Sequence, residues 1–291
     1  MHLKLTAADK SDVGKQREQN EDCAYKRIES SGEGDLGLFV VADGMGGYKA
    51  GEVASRLAIE TIRKTLDNFF KPLPEQPTIK LETLNRAINA SPPPSNASSA
   101  QQTRKLSETT NTAAIEQQLK TAVEQANRAI VRYGEQQTGA RGLGSTVTAA
   151  LIQNDGRIYV ANVGDSRTYL LRNNELKPLT KDHSLVAKLV ESNQITQEEV
   201  YTHPQRNLIY RSLGAGHQTV DVDIFHEMLQ SGDKLLLCSD GLWEMVHHKD
   251  LLNILGEHSS PRAICDKLIE RANESGGEDN ITAIVVHVSA H

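Results

Sequence analysis

Four acidic residues stand where apolar runs begin or end. Asp43 follows Leu38-Phe39-Val40-Val41-Ala42 and precedes Gly44-Met45-Gly46-Gly47, and Asp240 follows Leu235-Leu236-Leu237-Cys238-Ser239 and precedes Gly241. Asp279 lies in Gly276-Gly277-Glu278-Asp279-Asn280, just before Ile281-Thr282-Ala283-Ile284-Val285-Val286, and Asp22 with Glu21 precedes Cys23-Ala24-Tyr25. A short continuous apolar run reads as a strand buried on both faces. A carboxylate at its mouth, followed by glycine that lets carbonyl oxygens approach a ligand, reads as a cation site. Taken singly, Asp43-Gly44 also reads as a hairpin turn. Repetition of the device implies that three strand ends and one polar entry segment converge on one site.

Glu21, Asp22, Asp43, Asp240 and Asp279 are hard oxygen donors, and the Gly44 carbonyl is a further one. A set without His or Cys selects Mg²⁺, Mn²⁺ or Ca²⁺ over zinc. Four or more carboxylates repel one another, so two cations suit the cluster better than one. Two such ions about 4 Å apart acidify a water for in-line attack on phosphorus. Phosphate ester hydrolysis is the chemistry that fits best. Arg17 carries a forked guanidinium suited to two phosphate oxygens; a surface salt bridge to Glu18 or Glu21 is the other reading, and the sequence leaves both open.

The elements that must position these groups follow from periodicity. Strands are predicted over residues 3–8, 23–25 and 36–42, then a helix over 52–70 with an apolar face from Val53 to Phe69. Residues 71–112 turn to Pro, Ser, Thr, Asn and Gln, including Pro92-Pro93-Pro94, and read as a low-complexity insertion dispensable for chemistry, with a short helix at 80–89. A second long helix spans about 115–134. Strands follow over 145–152, 157–163, 167–171 and 176–179, joined by the hairpin signals Asn154-Asp155-Gly156 and Asn173-Asn174. Residues 182–213 read as a polar, helical flap with a capping box at Thr196 and Glu199. Strands over 220–225, 234–238 and 281–288, with helices at 249–255 and from Ser260-Pro261, complete the chain. Antiparallel strands interrupted by helix pairs predict an α+β layered domain rather than a parallel sheet.

A net charge of −6 argues against a basic nucleic-acid footprint. Three cysteines, Cys23, Cys238 and Cys265, are too few for a disulfide scaffold and point to a reducing compartment. The first residues have no apolar signal core, and no window approaches the ~18 apolar residues of a membrane helix. The expectation is a soluble, cytoplasmic protein with no membrane or nucleic-acid partner.

Arg17-Glu18-Gln19-Asn20-Glu21-Asp22, Asp43-Gly44-Met45-Gly46-Gly47, Gly144-Ser145-Thr146, Val163-Gly164-Asp165-Ser166-Arg167, Ser239-Asp240-Gly241-Leu242-Trp243 and Gly277-Glu278-Asp279-Asn280-Ile281-Thr282 resemble the metal-dependent serine/threonine protein phosphatases of type 2C in their bacterial form. Six motifs in the family's order cover almost the whole chain outside the insertion. The resemblance implies an α-β-β-α sandwich of two antiparallel sheets flanked by helix pairs, in one catalytic domain over 1–291 with the insertion at about 71–112 and the flap at about 182–213. It implies two Mn²⁺ or Mg²⁺ ions, held by Asp22, Asp43, Gly44, Asp240 and Asp279, with Glu21 acting through water and Arg17 binding phosphate. Implied partners are phosphorylated proteins, a serine/threonine kinase among them, and the chain is expected to be a monomer. Asp165 and Asn280 are assigned to supporting hydrogen bonds.

Two residues depart from the family pattern. Met45 stands where animal members carry a His thought to protonate the leaving oxygen. Arg141 stands where many members carry an Asp used for a third metal, so a third site is expected to be empty or weak. Two other readings remain. One is a phosphatase-like regulatory binding module with weak catalysis. The other is a cysteine phosphatase, because Cys265 and Arg271 have C-x5-R spacing; the intervening residues lack an anion-cradling loop and sit in an amphipathic helix.

Overall fold

The computed structural model describes residues 2–32, 34–46, 50–71, 97–137 and 142–290, with backbone only over 97–110. The strands are β1 (Leu3–Asp12), β2 (Cys23–Ser31), β3 (Gly34–Ala42), β4 (Gly44–Met45), β5 (Gly144–Ser145), β6 (Val147–Ile152) and β7 (Arg157–Val163). They continue as β8 (Arg167–Arg172), β9 (Glu175–Pro178), β10 (Leu213–Gly214), β11 (Asp223–Met228), β12 (Lys234–Cys238) and β13 (Ile281–Ala290). The α-helices are α1 (Ala50–Leu66), α2 (Ala97–Gln136), α3 (Leu185–Glu191), α4 (Asp240–Trp243), α5 (His248–Gly256) and α6 (Pro261–Glu274).

Two antiparallel five-stranded sheets, ordered β1-β13-β12-β8-β9 and β11-β7-β6-β3-β2, pack face to face. A small sheet, β10-β5-β4, lies beside them. Alternation along β3 explains its lack of polar residues. Leu38, Val40 and Ala42 pack against α1 and α2, while Phe39 and Val41 point into the space between the sheets. β12 does the same on the other side: Leu236 and Cys238 meet α5 and α6, and Leu235 and Leu237 fill the sandwich. Each large apolar side chain so buried stabilises the fold by about 1.5–3 kcal/mol.

Register then sets the site. Cys23 pairs with Ala42, so Asp22 and Asp43 lie next to each other one step beyond the end of the β2–β3 ladder. Cys238 pairs with both Ala283 and Arg167, which brings Asp240, Asp279 and the Gly164–Ser166 turn to the same end. Val147 pairs with Val163, adding Thr146.

Several predicted bounds shift. β1 and β2 run beyond 3–8 and 23–25, because each is an edge strand whose outward positions stay polar and so hide the strand pattern. β11 begins at Asp223 rather than at 220; Val220 and Val222 pack on the helix-side core without pairing. The flap is helical only at α3 and in a 3-10 turn at Glu199–Thr202, so the prediction of a helical 182–213 is corrected: its backbone is held by side-chain and loop contacts. The capping box is formed, with Thr196 donating from its backbone N–H to Glu199 Oε2 (2.7 Å). Asn173 and Asn174 both have positive φ, 51° and 61°, as a tight two-residue hairpin requires. Helix α2 starts at Ala97, well before 115, extended by Ala, Gln, Lys, Leu and Glu that carry a nucleated helix on. The short helix predicted at 80–89 and Arg141 lie outside the described residues.

Candidate active site

Asp22, Asp43, Asp240 and Asp279 meet at one end of the sandwich, each supplied by a different segment. Asp22 enters β2, Asp43 leaves β3, Asp240 opens α4 directly after β12, and Asp279 precedes β13. Ser239 ties two of these segments together: its hydroxyl donates to Asp22 Oδ2 (2.7 Å) and accepts the Thr282 N–H (3.0 Å). Asp43 is fixed through its backbone. Its N–H donates to Thr146 Oγ1 (3.2 Å), and its carbonyl accepts from Thr146 N–H (2.8 Å) and Ser145 Oγ (3.0 Å).

Asn280 is the main clasp on the entry segment. Its side chain donates to the carbonyls of Val13 (3.0 Å) and Gln19 (2.9 Å) and accepts the N–H of Glu21 (2.8 Å). The expected support role for Asn280 is therefore visible as three bonds to residues 13–21. Arg17 donates to Asp279 Oδ2 (2.7 Å) with its side chain half exposed. It pairs with neither Glu18 nor Glu21 in the contacts described. Glu21 lies against the start of α1, where burial raises the pKa of its carboxylate and the nearby backbone N–H groups of Gly51 and Glu52 and the Arg17 charge counter that rise. A Cβ on Gly51 would stand 2.7 Å from that carboxylate, and one on Gly44 would stand 2.1 Å from the Gly51 carbonyl oxygen. Glycine at both positions is thus required for β4 to nest under the helix.

The electrostatics are dominated by desolvation. Burial raises the pKa of Asp22, of Asp43 and of Asp240, and mutual repulsion adds to it, from Asp240 at Asp22 and Asp43 and from Asp279 at Asp240. Asp43 and Asp240 lie close enough for the charge of Asp240 to raise the pKa of Asp43 further. Among the described residues no three or more acidic, imidazole or thiol groups close on a single point as a finished cage. Yet Oδ1 of Asp22 and Oδ1 of Asp240 are buried and accept no hydrogen bond. Orphaned carboxylate oxygens in a repelling cluster, with neither His nor Cys, fit hard divalent cations.

Asp165 gives the expected support through its backbone carbonyl, which accepts the Trp243 indole N–H (2.9 Å); its buried carboxyl also lies in the field of the cluster, with burial and then Asp240 raising its pKa.

Comparison with known proteins agrees with this geometry. The protein phosphatase 2C family model matches residues 14–284. The chain belongs to that family. A serine/threonine phosphatase, stp, of Listeria welshimeri is 36% identical over 249 residues, covering 86% of this chain and 83% of the relative. The serine/threonine protein phosphatase PstP of Mycobacterium tuberculosis is 34% identical over 286 residues, 98% of this chain but 45% of that longer protein. The solved catalytic domain of PstP, described in complex with two manganese ions, superposes with a TM-score of 0.72 at 32% identity, covering 99% of this chain and all of that one. Stp1 of Staphylococcus aureus superposes with a TM-score of 0.75 at 29% identity, covering 98% and 96%.

In this member of the family two site neighbours escape sequence reasoning. Glu244, 9% exposed, projects from the turn after α4; burial and the Asp240 charge push its pKa up to about 7, and its Oε1 has no partner. Its position four residues after Asp240, one helical turn on, was the available signal. Arg206 reaches from the flap to Glu244 (3.0 Å) and Glu278 (2.7 Å), a pairing no local pattern announces. Cys265 is buried in α6 with its thiol on the Ala8 carbonyl, burial pushes its pKa up to about 12, and Arg271 pairs instead with Asp250. Those contacts remove the cysteine-nucleophile reading.

Proposed function

We propose that this chain hydrolyses phosphoserine and phosphothreonine esters on proteins at the centre formed by Asp22, Asp43, Asp240 and Asp279, using two Mn²⁺ or Mg²⁺ ions. The observation that carries the reading is the convergence of four aspartates from four segments on one end of the sandwich, two with buried, unpartnered oxygens. Asp22, Asp43, Asp240, Asp279 and the Gly44 carbonyl are the residues to hold the cations, with Glu21 acting through water. Bound there, such ions supply Lewis acidity toward phosphoryl oxygens and lower the pKa of water.

The chain's own residues do the rest. Ser239, Thr146 and Asn280 hold the carboxylates against their mutual repulsion. Arg17 captures the phosphate: its ion pair with Asp279 is exposed, a kind worth only about 0–1 kcal/mol, so a phosphate dianion competes for it readily. Met45 has no proton to give, so the leaving oxygen takes its proton from water or from another side chain. Residues 182–213 form the substrate-facing flap, and residues 71–112 are dispensable for turnover. No helix among the described residues is long and apolar enough to cross a membrane. A monomer in the cytoplasm, acting on phosphoproteins that include a serine/threonine kinase, is the setting that suits this chemistry.

Purified protein supplied with Mn²⁺ should release phosphate from a phosphothreonine peptide, and should lose that activity with EDTA and in Asp240→Ala. Activity that survives both treatments refutes the proposal.

A further inference from the structure

His183, at the root of the flap and 2% exposed, uses every polar atom it has. Its backbone N–H donates to the Gly164 carbonyl (2.9 Å), and its Nδ1 accepts the Gly164 N–H (3.0 Å). Gly164 has φ +103°, and a Cβ there would stand 2.6 Å from Thr146 Cβ, so this residue is gripped from both sides with no room to shift. The turn it opens carries Asp165, in the field of Asp240, and Ser166, whose hydroxyl bonds Thr146 Oγ1 (2.7 Å). Thr146 in turn holds Asp43 by two backbone bonds. A short run of contacts therefore leads from His183 to the acidic centre.

The other side of His183 closes the flap. Its carbonyl accepts the Tyr210 N–H (2.9 Å), the next residue, Ser184, bridges to Ile209, and Leu185 N–H donates to the Leu208 carbonyl (2.8 Å). Both ends of 182–213 thus meet at this one residue. Because Nδ1 must accept from Gly164, the neutral ring carries its proton on Nε2, which donates to Asp223 Oδ2 (3.2 Å). Arg211 lies alongside: its Nη1 donates to Asp223 Oδ1 (2.8 Å) and stands 2.9 Å from His183 Nε2, so the Asp223 carboxylate serves both donors and holds them together.

We propose that His183 is a positioning residue that locks the flap in register with the acidic centre, through the Gly164 N–H bond to its unprotonated Nδ1 and the Tyr210 bond to its carbonyl. The inference rests on the phosphatase reading for its functional meaning, but its geometry is testable without it. The Asn carboxamide oxygen sits where Nδ1 sits, so His183→Asn keeps the acceptor for Gly164. Gln places its amide nitrogen near Nε2, so His183→Gln keeps the donor to Asp223 and loses the acceptor. His183→Leu loses both.

Three measurements decide the matter: Mn²⁺ affinity of chelator-treated protein by calorimetry, kcat and KM on p-nitrophenyl phosphate and on a phosphothreonine peptide, and ¹⁵N NMR of the wild type. Mn²⁺ binding should weaken about tenfold in the Gln and Leu variants, with kcat falling on both substrates, while Asn stays within about threefold of wild type. Wild-type spectra should show an unprotonated Nδ1 coupled across a hydrogen bond to the Gly164 amide, a readout that survives if a variant fails to fold. A missing coupling, equal losses in all three variants, or a Gln variant better than Asn overturns the proposal. If the wild type releases no phosphate, the phosphatase reading fails, while the Mn²⁺ ranking and the coupling still judge His183.

Discussion

Removing the carboxylate of Asp182 should destabilise the protein strongly, because it strands a buried cation. Arg167 is 15% exposed; it holds Asp182, itself 8% exposed, through two nitrogens, with Nη2 to Oδ2 at 2.6 Å and Nε to Oδ1 at 3.0 Å. Its guanidinium lies 3.5 Å from the centroid of the Trp243 ring, and without Asp182 it keeps the Tyr169 hydroxyl (2.8 Å) as its hydrogen-bond partner but no counter-charge in contact. Breaking a buried pair by deleting one partner costs about 3–5 kcal/mol. A chain of 291 residues unfolds with an entropy of roughly 0.6 kcal/mol/K, so Asp182→Ala should lower Tm by about 5–8 °C. Calorimetry on chelator-treated protein measures this without cation linkage. The double variant Arg167→Met, Asp182→Leu should recover most of the loss, since apolar replacement of a buried pair is often neutral. A shift below about 2 °C for Asp182→Ala, or a double variant as damaged as the single one, refutes the reasoning.

His287 lies opposite Lys234 across β12 and β13, and burial, then the Lys234 charge, pushes its pKa down to about 4. The folded state then binds fewer protons than the unfolded state between pH 6.5 and 4, so stability present above pH 6.5 is lost as pH falls; partial exposure reduces the effect to about 1–2 kcal/mol. Urea midpoints at pH 7.5 and 5.0 should show that extra loss in wild type and not in His287→Thr. Cys265→Ser should leave turnover on a phosphothreonine peptide unchanged, and a well-folded inactive variant would contradict the packing role given to this thiol. Asn280→Ala leaves the Val13 and Gln19 carbonyls and the Glu21 N–H without their partner, so Tm should fall by about 5 °C and residues 13–21 should become open to limited proteolysis.

What the sequence revealed depended on how far apart the partners lie. The apolar run before Asp43, the Asn173-Asn174 turn and the Thr196–Glu199 capping box are local devices, and the structure contains each where expected. The gathering of the four aspartates was legible because Asp43, Asp240 and Asp279 border buried strands and Asp22 enters a fourth, and antiparallel register does the rest. Glu244 with Arg206, and Gly164 with His183, are invisible to periodicity, because residues 19 or more positions apart meet only after the flap has folded onto the sandwich. Edge strands were underestimated for a different reason: β2 has partly exposed positions on both faces, and Lys26 and Glu29, which point to opposite faces, look like loop residues in a string of letters.

The account turns on whether the acidic centre binds two cations and uses them. Calorimetric titration of Mn²⁺ into chelator-treated protein, run on the same samples assayed for phosphate release from a phosphothreonine peptide, tests this most directly. Two ions per chain are predicted for the wild type, with binding and phosphate release lost together in Asp43→Asn and in Asp240→Asn. Cation binding that is absent, or that persists unchanged in both variants while activity continues, would contradict the assignment of this centre.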